Sequence, residues 1–157
     1  MKKKITVLGI GNILNSDEGV GVHAVRAMQT EAQRAADVEL LDGGTLGLDL
    51  LVPVEEATHL LILDAVDAGQ PPGSVVELTR EHIPLFTGVK MSQHQVTFQE
   101  VLGLALIRAK LPEYLHLIGV QPVSLEMGID LSPQVAAVLP EVVERAWAVL
   151  AAWSGQV

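Results

Sequence analysis

The 157 residues are 49% hydrophobic, 18% charged and 3% aromatic, with a formal net charge of −9 and no cysteine. A chain of this length buries about 70% of its unfolded surface, so one domain over residues 1–157 with an aliphatic core is expected. The negative charge argues against a nucleic-acid partner, which needs clustered Lys and Arg, and the missing cysteines remove thiol nucleophiles, Cys-ligated zinc and disulfides, as suits a cytoplasmic protein.

Lys2-Lys3-Lys4 precedes an apolar run, residues 5–10, that is too short for a signal peptide and meets Asp17-Glu18 at once. It reads as a first strand with a basic lead-in. No apolar run approaches the roughly 20 residues of a membrane span, so no membrane insertion is expected. The strand runs into Gly9-Ile10-Gly11-Asn12-Ile13-Leu14-Asn15-Ser16-Asp17-Glu18-Gly19, a glycine-permitted turn opening a βαβ unit. Such turns commonly cradle phosphate, but Asp17 and Glu18 would repel that anion and welcome a cation.

A helix over residues 20–31 follows, with Gly21, Val25, Met28 and Ala32 on one stripe. Residues 38–41 form a second strand, ending at Asp42-Gly43-Gly44-Thr45. Thr45 can cap a helix over 46–57, with a kink or break at Pro53. Residues 60–63, unbroken aliphatics, form a strand covered on both faces that stops at Asp64. A turn over 69–73 leads to an edge strand over 74–79, then to a loop over 80–92 that turns at Pro84. A helix over 96–110 places Phe98, Val101, Leu102, Ala105 and Ala109 on one face, and residues 114–120 form the last strand. Ser132-Pro133 starts a final helix reaching Trp153, which Pro140 should kink or restart. Alternating strands and helices give an α/β three-layer sandwich: a twisted, mostly parallel sheet with helices on both faces.

Ligands of such sheets bind outside the carboxyl ends of the strands. Glu18, Asp42 and Asp64 lie at three of those ends, and His94 stands in the loop before a helix. Two carboxylates and an imidazole with open positions suit a borderline ion such as Zn²⁺ or Ni²⁺, and affinity order alone does not choose between them. Each acid has a plainer reading as a helix cap or dipole partner, although a carboxylate ending an apolar strand, as Asp64 does, is costly unless paired or coordinating. His23, His59, His82 and His116 read as structural or solvated, and Asp67 as a turn residue. Ser92-x-His94 lacks a nucleophile-elbow sequence, so no triad is inferred.

These residues resemble the maturation endopeptidases of nickel–iron hydrogenases. The carrying motifs are Gly9-Ile10-Gly11-Asn12-Ile13-Leu14 with Asp17-Glu18-Gly19-Val20-Gly21, Leu41-Asp42-Gly43-Gly44-Thr45, Asp64-Ala65 with Gly69, and Ser92-Gln93-His94-Gln95. Gly119-Val120-Gln121-Pro122 with Ser124-Leu125-Glu126 extends the match, so order and spacing hold over nearly the whole chain. The resemblance implies a twisted five-stranded sheet and a peptidase that removes a C-terminal peptide from the hydrogenase large-subunit precursor after nickel insertion. It implies that Glu18, Asp64 and His94 contact nickel supplied by the substrate, with no organic cofactor. Asp42 matches a further acidic position and is a candidate for substrate contact or catalysis. No nucleophile is assigned, and a monomer is the default expectation. Two other readings compete: a non-catalytic nickel chaperone using the same ligands, and a nucleotide-binding α/β domain. Against the second, Leu14 stands where the dinucleotide fingerprint needs its third glycine.

Overall fold

Three aliphatic runs make up the middle of the sheet. The computed structural model describes residues 2–84 and 97–155. Its strands are β1 (Ile5–Ile10), β2 (Val38–Gly44), β3 (His59–Ala65), β4 (Val75–Thr79) and β5 (Tyr114–Val120). Its helices are α1 (Val20–Gln29), α2 (Leu51–Glu56), α3 (Phe98–Ile107) and α4 (Pro133–Ser154). The five strands lie in the order β2-β1-β3-β5-β4, all parallel except the β4–β5 pair. This is the expected α/β architecture with a mostly parallel five-stranded sheet.

Helices cover both faces of β1, β3 and most of β5, so these strands are aliphatic rather than alternating. Successive residues feed opposite layers. Val7, Leu61, Leu63, Ile118 and Val120 pack with α1 and α4 around Met28, Trp147 and Leu150. Leu8, Leu60, Ile62, Leu115 and Leu117 pack with α2 and α3 around Val54, Phe98 and Val101. Each such side chain, fully buried, contributes about 1.5–3 kcal/mol from removal of apolar surface from water.

The chain passes from β1 through α1 to β2, then returns through α2 on the other face to β3. The connections therefore diverge between β1 and β3, and a crevice forms beyond their C-terminal ends. α1 descends almost onto the strand backbones there. A Cβ on Gly21 would overlap the Leu63 carbonyl and lie 2.7 Å from that of Ile10, so only glycine permits this approach. The consequence is positional: the turn leading into α1 is pressed against the end of β3.

Several boundaries differ from the sequence reading. α1 stops at Gln29, and Ala32 belongs to a separate 3-10 turn, Ala32–Ala35, where it is exposed. The helix expected over 46–57 divides into a 3-10 turn, Gly47–Leu50, and α2, with Pro53 tolerated in the first turn of α2. Leu46, not Thr45, takes the N-cap position of that 3-10 turn, without a side-chain cap. Ala109 lies beyond the end of α3 with φ 59°, while Phe98, Val101, Leu102 and Ala105 are buried as expected. Pro140 neither breaks nor restarts α4; it and Ala136, whose carbonyl loses a donor, are exposed, so water can take the missing bond. Among the described residues, no helix is long and apolar enough to cross a membrane.

Candidate active site

The loop after β1 is shaped to bring one carboxylate back to the sheet. Gly11, at φ +128°, turns the chain where any Cβ would strike the Glu18 carbonyl, and its N–H donates to Gly44 at 3.0 Å. Asn12 accepts from the Leu14 N–H at 2.9 Å, and the 3-10 turn Ser16–Gly19 then carries Glu18 to the start of α1. Asp64 stands one residue before the end of β3, opposite Gly119 of β5. Glu18 and Asp64 line a single cavity of about 540 Å³ at the crevice between β1 and β3. Thr45, Thr97 and Phe98 also line it, and Leu78, Ile83, Leu102 and Leu117 supply an apolar wall.

Burial pushes the Asp64 carboxyl well above the usual carboxylate range; the Ala65 N–H, donating at 2.8 Å, opposes this, and the nearby Glu18 charge adds to it. Burial also raises Glu18. Two carboxyls that resist ionisation and line one cavity would both be stabilised by a cation, which would offset burial and mutual repulsion together. Among the described residues, no three His, Cys, Asp or Glu side chains are grouped as metal ligands. His94, the third expected donor, lies outside the described residues.

Asp17 does something different from its neighbour. The sequence reading gave both acids to a cation; the 3-10 turn instead sends the Asp17 side chain into the protein, fully buried. Its carboxylate accepts the N–H groups of Val123 (2.9 Å), Ser124 (3.1 Å) and Ser132 (2.7 Å) and the Ser132 hydroxyl (2.8 Å). Burial acts to raise its pKa, but these four hydrogen bonds outweigh that and hold the carboxyl below its ordinary value. Asp17 is thus a clamp that fastens the segment after β5 to the loop after β1. Gln121 plays a similar part beside Asp64. Its side-chain carbonyl accepts from the N–H groups of Ala68 (2.8 Å) and Gln70 (3.3 Å), and its amide donates to Asp67 at 3.2 Å. Asp67 also takes the Gly69 N–H at 3.3 Å, the turn role expected of it.

Asp42 ends up next to the cavity rather than in it. It lines a smaller adjoining pocket with Gly11, Asn12 and Arg26, and one of its oxygens takes both Arg26 Nε (3.0 Å) and Nη2 (2.9 Å). Among the described histidines none lines the main cavity. His59 is buried and stacks on Tyr114 at 4.2 Å, His116 pairs with Glu77 at 2.9 Å, and His82 is exposed. A capping box was overlooked in the sequence: Thr97 accepts the Glu100 N–H at 3.2 Å while Glu100 accepts that of Thr97 at 3.3 Å. Its signal, Thr97-Phe98-Gln99-Glu100, was legible. It fixes the start of α3 at the cavity wall.

Residues 22–149 match the family model described as hydrogenase maturation protease. The chain belongs to the hydrogenase maturation protease family. Similar relatives include the hydrogenase expression/formation protein HupD of Thiocapsa roseopersicina, 47% identical over 150 residues, covering 94% of this chain and 68% of that one. The hydrogenase 2 maturation protease of Escherichia coli strain K12 is 39% identical over 148 residues, covering 94% of this chain and 90% of that one. The solved structure of the hydrogenase maturating endopeptidase HybD from E. coli superposes with a TM-score of 0.84 at 39% identity, over 97% of this chain and 94% of that one. A hydrogenase maturation protease is a peptidase, so the chain is a hydrolase of peptide bonds.

Proposed function

We propose that this hydrogenase maturation protease removes the C-terminal extension of a nickel–iron hydrogenase large-subunit precursor once nickel has been inserted, and that Glu18, Asp64 and His94 read the substrate's nickel. The supporting observation is the Glu18–Asp64 pair: two carboxyls with raised proton affinity in one cavity, neither ion-paired among the described residues. A metal centre arriving with the substrate would supply the missing positive charge. His94, which the resemblance supplies as the nitrogen donor, lies outside the described residues.

In this reading nickel is substrate, not a resident cofactor, and no organic cofactor takes part. The chain's own residues hold the metal centre through two oxygens and an imidazole. Open coordination positions keep the grip reversible, so the product can leave. The apolar wall of Leu78, Phe98, Leu102 and Leu117 receives the adjoining peptide and keeps bulk water from the carboxyl pair. Asp42, its charge held by Arg26, is left as a contact for the substrate tail beside the cavity.

The test is incubation of the purified protein with nickel-loaded precursor, followed by mass spectrometry of the large subunit. Loss of the C-terminal extension is expected, and Asp64→Asn should abolish it. Tight binding of the nickel-loaded precursor without shortening would replace the proposal with a chaperone.

A further inference from the structure

Beside the cavity lies an apolar surface that the peptidase reaction does not explain. Leu14, Val123, Leu125, Met127 and Ile129 are all exposed, Met127 to 90% and Ile129 to 72%. They sit on two segments bound into one body. Asn15 and Gly128 form a parallel bridge, in which Ser16 N–H donates to Gly128 at 2.9 Å and Gly128 N–H to Leu14 at 2.8 Å. Asn15 Nδ2 donates to the Leu125 carbonyl at 3.2 Å and the Ser16 hydroxyl to that of Glu126 at 2.6 Å. Ser16 takes φ 52° to make this junction, and the Asp17 clamp locks it from beneath. Large apolar side chains held out in water on a braced loop are a preorganised docking surface, because little chain entropy is lost on binding.

We infer that this shelf docks the folded body of the large-subunit precursor while its tail enters the cavity; the inference rests on the proposed function for the identity of the partner. Two observations choose that occupant. The shelf is continuous with the cavity, since Leu125 lines both and Glu18 directly follows the clamp residue. A partner reaching Glu18 and Asp64 with its tail must therefore cover the shelf with its body. Acidic side chains flank it: Glu126 and Asp130 are exposed on the same segment, and Arg26, in the pocket beside Asn12 and Ile13, is already paired with Asp42. The matching surface is apolar with a basic border. A second copy of this chain would set acid against acid, on top of a net charge of −9.

Binding of nickel-free precursor is the discriminating experiment, because the shelf meets the folded body whether or not nickel is present. Biolayer interferometry would compare the parent with Met127→Asp/Ile129→Asp and Met127→Leu, with circular dichroism confirming each fold. The double variant should weaken binding by about tenfold or more, as loss of central apolar contacts does. Met127→Leu should bind like the parent. Equal affinity of parent and double variant would overturn the shelf and leave the proposed function standing. So would a parent dimer in sedimentation that the double variant splits while precursor affinity is unchanged. Shelf-dependent binding by a parent that shortens no precursor would support the shelf and sink the hydrolysis reading instead.

Discussion

Replacing Asp17 with Asn should unfasten the segment that flanks the cavity. The parent carboxylate accepts four hydrogen bonds, three of them at Oδ2 and the fourth, from Ser132 N–H, at Oδ1. In the milder orientation the new amide nitrogen replaces Oδ1 and faces the Ser132 N–H donor to donor. The other three bonds survive but lose their charge. A hydrogen bond to a charged group is worth about 1.5–3 kcal/mol against about 0.5–1.5 for a neutral one, and a buried unsatisfied donor costs about 1–3. Allowing for shared strain, the variant should lose about 3–5 kcal/mol. For a chain of this size that is about 6–20 °C in melting temperature, measurable by scanning calorimetry near neutral pH. The pH dependence has a definite sign. Because the folded-state carboxyl lies below its ordinary value of 3.8, its contribution is complete above that value and is lost as pH falls through the lower folded value. The parent should therefore destabilise in that acid window and Asp17→Asn should not show this component. Hydrogen exchange at Val123, Ser124 and Ser132 should quicken in the variant. A melting temperature within about 2 °C of the parent, with those amides still protected, would refute the clamp.

Asp64→Asn should raise the melting temperature near neutral pH while abolishing cleavage: a carboxyl whose folded pKa is raised contributes fully below its unfolded value and loses that contribution as pH rises toward and through the folded one, so near neutral pH it disfavours the folded state relative to a neutral amide. Calorimetry and the precursor assay check the two halves, and equal or lower stability would contradict the burial argument. Gly21→Ala should cost about 3 kcal/mol or more, because the methyl group meets backbone carbonyls that cannot turn aside; chemical denaturation measures it. Pro140→Ala should stabilise α4 by about 1–3 kcal/mol by restoring an interior helical hydrogen bond, read from the same denaturation curves.

Much of the scaffold was legible because the signals are local. The aliphatic runs ending at Ile10 and Val120 marked strands, the run over 60–63 marked one covered on both faces, and Ser132-Pro133 marked the start of α4, where the Ser132 hydroxyl both caps and meets Asp17. Glu18 and Asp64 were brought together by topology, which the strand-end rule anticipates: Glu18 follows β1 and Asp64 lies at the end of β3, the two strands that border the crevice. What escaped notice was set by distant partners. Asp17 and Glu18 are adjacent in sequence, yet a 3-10 turn sends neighbouring side chains about 120° apart. The role of Asp17 was decided by donors more than 100 residues away, at Val123, Ser124 and Ser132. The Arg26–Asp42 pair likewise joins a helix to the end of the neighbouring strand, with no spacing in the sequence to announce it. The motif at Gln121 and Ser124 was recognised by resemblance alone; its physical content is the bracing of the loop after β3, just beyond Asp64, and of the turn that carries Glu18.

Whether nickel belongs to the substrate or to the peptidase is decided by one crossed cleavage assay. Nickel-loaded and nickel-free precursors are each incubated with chelator-treated protein and with protein supplied with Zn²⁺, and shortening of the large subunit is followed by gel shift. The expected result is cleavage of nickel-loaded precursor by the chelator-treated protein, and none of nickel-free precursor under either condition. Efficient cleavage of nickel-free precursor by the zinc-supplied protein would mean that Glu18, Asp64 and His94 hold a hydrolytic metal of the protein's own.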